Sequence, residues 1–80
     1  MKASLHKSKV ELYIISRTKE MRLKAGMSQA DLAAELNVSY GFIGQVENPK
    51  FRTKYNVNHI NSLAMIFKCS PRDFLPKEPI

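Results

Sequence analysis

The stretch that decides the fold is Ser28–Asn48, "SQADLAAELNVSYGFIGQVEN". Its opening tetrad "SQAD" is a capping box, in which the Ser28 hydroxyl accepts from the backbone N–H three residues on and Asp31 reaches back. Leu32, Ala33 and Leu36 follow at the three- and four-residue spacing of one buried helical side. Asn37 ends this helix, since asparagine tolerates the left-handed turn better than most residues with a side chain. Ser39 is then expected to cap a further short helix, 39–47, with Phe42, Ile43 and Val46 as its apolar members. Two short helices joined by a tight turn make a helix-turn-helix. The second of them contains Gly41 and Gly44, each costing a helix interior about 1 kcal/mol relative to alanine.

Outward from this unit the chain reads as more helix. Val10, Tyr13, Ile14, Thr18 and Met21 recur at helical spacing between about Lys9 and Ala25. Gly26 stops that helix, and Met27 can pack back onto its last turn. Beyond Asn48 lies a loop, 48–56, carrying Lys50, Arg52 and Lys54. Asn56 caps a fourth helix with Ile60, Leu63, Ala64 and Phe67 on one face. The fifth opens at "SPRD", with Ser70 as cap, Pro71 at the first helical position and Asp73 three after the cap. Phe74 and Leu75 are expected to turn inward, and Pro76 closes the helix. No strand pattern is present. The expected architecture is all-α: a compact five-helix domain over 9–76 with a central helix-turn-helix, a flexible basic segment 1–8 and a C-terminal tail 77–80.

Composition narrows the function. The 80 residues carry 13 Lys and Arg against 7 Asp and Glu, a net charge of +6, which suits a polyanionic partner without naming one. Cys69 is the single cysteine, so no disulfide forms within the chain and a cytoplasmic location is expected. No apolar run approaches the length of a membrane span. His6 and His59 lie far apart with no ligand-type residue at metal spacing, and there is no phosphate-binding glycine loop or nucleophile–base set. The sequence therefore calls for no cofactor, no metal and no catalytic residue, and is not expected to be an enzyme.

"RLKAGMSQADLAAELNVSYGFIGQVEN", followed by "LAMIFKCSPRDFL", resembles the lambda-repressor-like helix-turn-helix regulators of Cro/C1 or XRE type over about Val10–Pro76. Gln29 holds the first position of the second helix, Ala33 the small-residue position where the helices cross, and Asn37 a turn position that is often glycine. The chain departs from the family at Pro49, where glycine is usual, and at Thr18, a position more often aliphatic. The resemblance implies a sequence-specific double-stranded DNA-binding transcriptional regulator, acting as a repressor and as a homodimer on a two-fold symmetric operator.

In such folds the helix 39–47 lies in the major groove with its N-terminal residues at the base edges. Base readout then falls to Tyr40, Gly41, Gly44 and Gln45. Gln45 is the direct reader, because its amide matches the N6/N7 edge of adenine. The two glycines would let the backbone approach closely, or else Gly44 only relieves crowding against a neighbouring helix. Phosphate contacts are assigned to Ser28, Gln29, Ser39, Asn48, Lys50, Arg52 and Lys54. Arg22 and Glu47 match a family pair that forms a structural salt bridge between helix one and the end of helix three.

Two other readings remain. The chain can be the antitoxin of a toxin–antitoxin pair, with a toxin or co-regulator as protein partner, or a protein-interaction module without DNA binding. The homodimer is expected to form through residues 74–80.

Overall fold

The computed structural model describes residues 7–80. The first six residues of the segment expected to be loose, His6 among them, lie outside the described residues. Four α-helices, α1 (Lys9–Lys24), α2 (Gln29–Leu36), α3 (Phe42–Glu47) and α4 (Val57–Phe67), are followed by a single 3-10 turn, Pro71–Phe74. No strand occurs among the described residues.

Helix starts follow side-chain caps. Ser28 and Asp31 form the expected box, with Asp31 N–H on Ser28 Oγ at 3.0 Å and Ser28 N–H on the Asp31 carboxylate at 2.9 Å. Equivalent boxes open α1 at Ser8/Glu11, α4 at Asn56/His59 and the 3-10 turn at Ser70/Asp73. Ser8 is therefore held rather than loose, and so is Lys7, whose side chain is buried. The looseness expected over 1–8 therefore does not hold for these two residues.

Helix ends follow left-handed residues. Gly26, at φ 71°, closes α1: Met27 N–H reaches back to Arg22 O and Gly26 N–H to Leu23 O, both at 3.0 Å, the paired bonds of a Schellman motif. Asn37 does the same for α2 at φ 60°, and Lys68 for α4 at φ 55°.

The third helix departs from expectation at its start. Ser39 does not cap it. Phe42 N–H bonds Ser39 O at 3.0 Å, which makes 39–42 a turn, and α3 begins at Phe42 with Gly41 as its cap and no side-chain cap bond. The connection between α2 and α3 thus runs over 37–41.

The core gathers Ile14, Ile15, Leu32, Ala33, Leu36, Ile43, Val46, Leu63, Ala64 and Phe74, with Tyr55 from the loop after α3. On α1, Ile14 and Ile15 face it while Tyr13 is 41 % exposed, so the inward stripe lies one residue round from the one expected. Thr18 is fully buried and hydrogen-bonds Ile14 O at 2.8 Å, which meets its hydroxyl's demand within its own helix. Leu75, expected inside with Phe74, is 44 % exposed. At the end of the 3-10 turn the backbone is already extended at Leu75, and only one of two adjacent side chains can point to the core. With Pro76 and residues 77–80, Leu75 frames a shallow cleft beside Val10.

Candidate nucleic-acid interface

α3 packs on α2 and on α1, burying Ile43 and Val46 and leaving one side open. On that side Tyr40 is 81 % exposed, and Gly41 and Gln45 are exposed with it. A Cβ built on Gly41 would meet nothing within 4 Å. Gln45 N–H bonds Gly41 O at 3.0 Å, so the two residues stack one turn apart on the same face. Tyr40, Gly41 and Gln45 are brought together as the sequence suggests.

Gly44 is different. It is half-buried, and a Cβ there would stand 3.3 Å from Gln29 Oε1. The reading that fits is relief of crowding against α2. Gln29 itself turns towards α3, its Nε2 donating to Glu47 Oε1 at 3.0 Å.

Glu47 is the hub of this corner. Arg22 Nε and Nη2 donate to its two carboxylate oxygens at 3.0 and 2.9 Å, and Arg22 Nη1 donates to Met27 O at 2.8 Å. The Arg22 and Glu47 side chains are 7 % and 3 % exposed. A planar guanidinium meeting a carboxylate on two parallel bonds is the strong geometry of such pairs. It locks α1, the α1–α2 turn and the end of α3 into one unit. Neither side chain has surface left to offer a ligand.

The residues assigned to phosphate differ in what they have left to offer. Lys50 and Arg52 are exposed with no ion-pair partner among the described residues. Asn48 is half-buried and its Oδ1 accepts from Lys50 N–H at 3.0 Å, leaving its amide NH2 to donate. Ser28 and Ser39 are exposed, but Ser28 Oγ is committed as acceptor to its cap. Lys54 instead pairs with Glu11 at 2.9 Å.

Four contributors carry no local signature. Thr53 Oγ1 donates to Gln45 Oε1 at 2.9 Å, holding the amide of the expected reader. Lys7 Nζ reaches the carbonyls at the end of α3. Tyr55 anchors the loop by burial, its hydroxyl without a hydrogen-bond partner among the described residues and its pKa raised by desolvation first and the Glu47 charge second. His59 packs on Phe42, ring centroids 5.0 Å apart, and its Nδ1 accepts from Asn56 N–H at 3.0 Å. Each of these contacts but the last joins residues distant along the chain. The local signal that could have drawn attention to the start of α1 is the capping-box tetrad "SKVE", Ser8–Glu11.

The chain matches the helix-turn-helix family (Cro/C1-type, XRE-like) over residues 19–74. It belongs to that family. The matched span holds α2, the 37–41 turn, α3 and the Glu47 hub in one run, and this makes the protein a helix-turn-helix domain of the DNA-binding regulator kind. The fold is similar to the crystal structure of a hypothetical transcription factor, NHTF, from Neisseria. The TM-score is 0.73 at 18 % identity, over 95 % of this chain and 86 % of that one. No curated protein matches the chain. Among the described residues no helix is long and apolar enough to cross a membrane, and no group of three or more His, Cys, Asp or Glu could hold a metal ion.

Proposed function

We propose that the protein is a sequence-specific regulator of transcription that acts as a repressor. α3 lies in the major groove of duplex DNA, with Gln45 reading a base, Tyr40 beside it and Gly41 letting the backbone approach. The observation that carries this reading is the open face itself: an exposed glutamine and tyrosine flank a glycine with empty space above it, at the start of the second helix of a helix-turn-helix. Lys50, Arg52, Asn48 and the N-terminal end of α2 at Ser28 and Gln29 are assigned to phosphate contacts, which set register without reading sequence. Ser39 serves as an exposed hydroxyl next to them. Lys54 is better read as structural, because Glu11 neutralises it.

A single α3 reads only a few base pairs, which favours a homodimer on a two-fold symmetric operator. The exposed Leu75 and Ile80 keep the C-terminal end as the proposed dimer surface.

Selection of bound sequences from a random duplex pool tests the reading. A two-fold symmetric consensus is expected. Log affinity for it should fall with log salt at a slope of about −5 to −7, as for roughly six to eight phosphates met by a dimer. No enriched sequence, together with a salt slope near zero, would leave the fold without its proposed function.

A further inference from the structure

The six-residue α3 lacks both ordinary means of holding its ends, having no side-chain cap at Gly41 and no basic residue in its last turn. Its C-terminal carbonyls are met instead by a residue some forty positions earlier. Lys7, 3 % exposed, points Nζ at Val46 O (2.6 Å), Asn48 O (2.9 Å) and Gln45 O (3.4 Å). An ammonium has three protons to give, and a cation belongs at the negative end of a helix. Four residues on, Glu11 takes Ser8 N–H on Oε1 at 2.8 Å and Lys54 Nζ on Oε2 at 2.9 Å. Lys7, just before the cap of α1, and Glu11, in its first turn, thus grip the two ends of the stretch 46–54. Between the two grips lie Asn48, Lys50, Arg52 and Thr53, the residue bonded to Gln45.

We propose that Lys7 and Glu11 form a clamp that positions α3 and the following loop for DNA, with Lys7 a positioning residue and not a phosphate contact. The functional half of this inference rests on the DNA reading above. The clamp itself is legible without DNA, because Asn48 N–H bonds Gln45 O at 3.2 Å and Phe51 N–H bonds Asn48 O at 3.1 Å, both carbonyls that Lys7 also holds. Amide exchange at Asn48 and Phe51 therefore reports on it directly.

Lys7→Met keeps the apolar stem and removes the charge and its donors. Exchange at Asn48 and Phe51 should quicken while the amides within α2 keep their protection. Affinity for the selected duplex should fall about tenfold, the worth of roughly one charge-assisted hydrogen bond, with the salt slope unchanged. A slope reduced by about one per monomer would make Lys7 a phosphate contact and overturn the proposal. So would unchanged exchange and affinity, or a loss of protection spread evenly over α2. Should Lys7→Met not fold, Glu11→Gln keeps a residue able to close the Ser8 box and removes the Lys54 pair. Faster exchange at Phe51 and weaker binding then support the clamp, whereas tighter binding overturns it by showing that Lys54 serves DNA once released. If the unmodified chain binds no duplex, the DNA reading fails separately, and the exchange measurement still decides the clamp.

Discussion

A Cβ on Gly44 would stand 3.3 Å from Gln29 Oε1, while the other end of the same amide donates to Glu47. The glycine on α3 thus makes room for the side chain through which α2 reaches the Arg22–Glu47 pair.

Gly44→Ala tests that relationship. Helix propensity favours alanine by up to about 1 kcal/mol, and the group that must give way is the end of an exposed, flexible side chain. The gain should therefore win, but only in part. In a Gln29→Ala background nothing stands in the way, and Gly44→Ala should stabilise the domain by the larger amount. A double-mutant cycle in urea reads the difference. Equal gains in both backgrounds would mean that Gln29 does not set the space at Gly44.

Arg22→Ala should be far more costly. With both side chains nearly excluded from solvent, removing one partner leaves a buried carboxylate held only by the Gln29 amide, and breaking a buried pair costs about 3–5 kcal/mol. The bond to Met27 O is lost as well. Small domains hold about 5–15 kcal/mol in all, so thermal melting should show a steep drop. Replacing the pair together, with Arg22→Met and Glu47→Leu, should recover much of the loss. A melting point unmoved by Arg22→Ala would show that the pair does not hold the helices together.

The fold was legible wherever its cause was local. Ser28 with Asp31 and Ser70 with Asp73 lie three residues apart, and Gly26 and Asn37 sit where the backbone turns left-handed; such signals are readable one turn at a time. Lys68 gave no warning of its positive φ, because lysine has no preference for that conformation and the requirement comes from the chain's need to leave α4. The start of α3 was misplaced because Ser39 resembles a cap, whereas the turn that precedes Phe42 is closed by backbone alone. Of the proposed site, Tyr40, Gly41 and Gln45 came from position within the motif. Thr53 and Lys7 could not, since each acts through a contact that only the folded chain creates.

His59 makes stability depend on pH. Burial against Phe42 and Tyr55 lowers its pKa below the ordinary 6.5, and its Nδ1 must stay unprotonated to accept from Asn56 N–H. The unfolded chain therefore takes up a proton first as the pH falls. Stability from this residue is complete above about pH 6.5 and declines below it until the folded-state pKa is passed. Melting temperatures measured from pH 8 to pH 5 should show that decline. His59→Gln, which can still close the Asn56 box, should flatten it. An equal decline in the variant would assign the titration to other groups.

Gly41 and Gln45 separate folding from recognition. Gly41 is the cap residue of α3, at φ −82° and ψ −7°, a conformation open to alanine, and its missing Cβ faces empty space. Gly41→Ala should therefore leave the free protein as stable or slightly more so. The gain should fall short of the full difference of about 1 kcal/mol for a helix interior, because the residue sits at the helix end. On DNA the added methyl would stand between the helix and the groove floor, so operator affinity should fall. Gln45→Ala should cost about 1–3 kcal/mol of binding and relax preference at one base pair per half-site, with nonspecific affinity nearly intact. Thr53→Val removes the hydroxyl that fixes the Gln45 amide and should produce a weaker version of the same relaxation. Melting curves and binding to the selected operator and to unrelated duplex, run side by side on the three variants, decide the matter. If Gln45→Ala lowers affinity equally for every duplex, Gln45 supports general binding and the base is read elsewhere on α3.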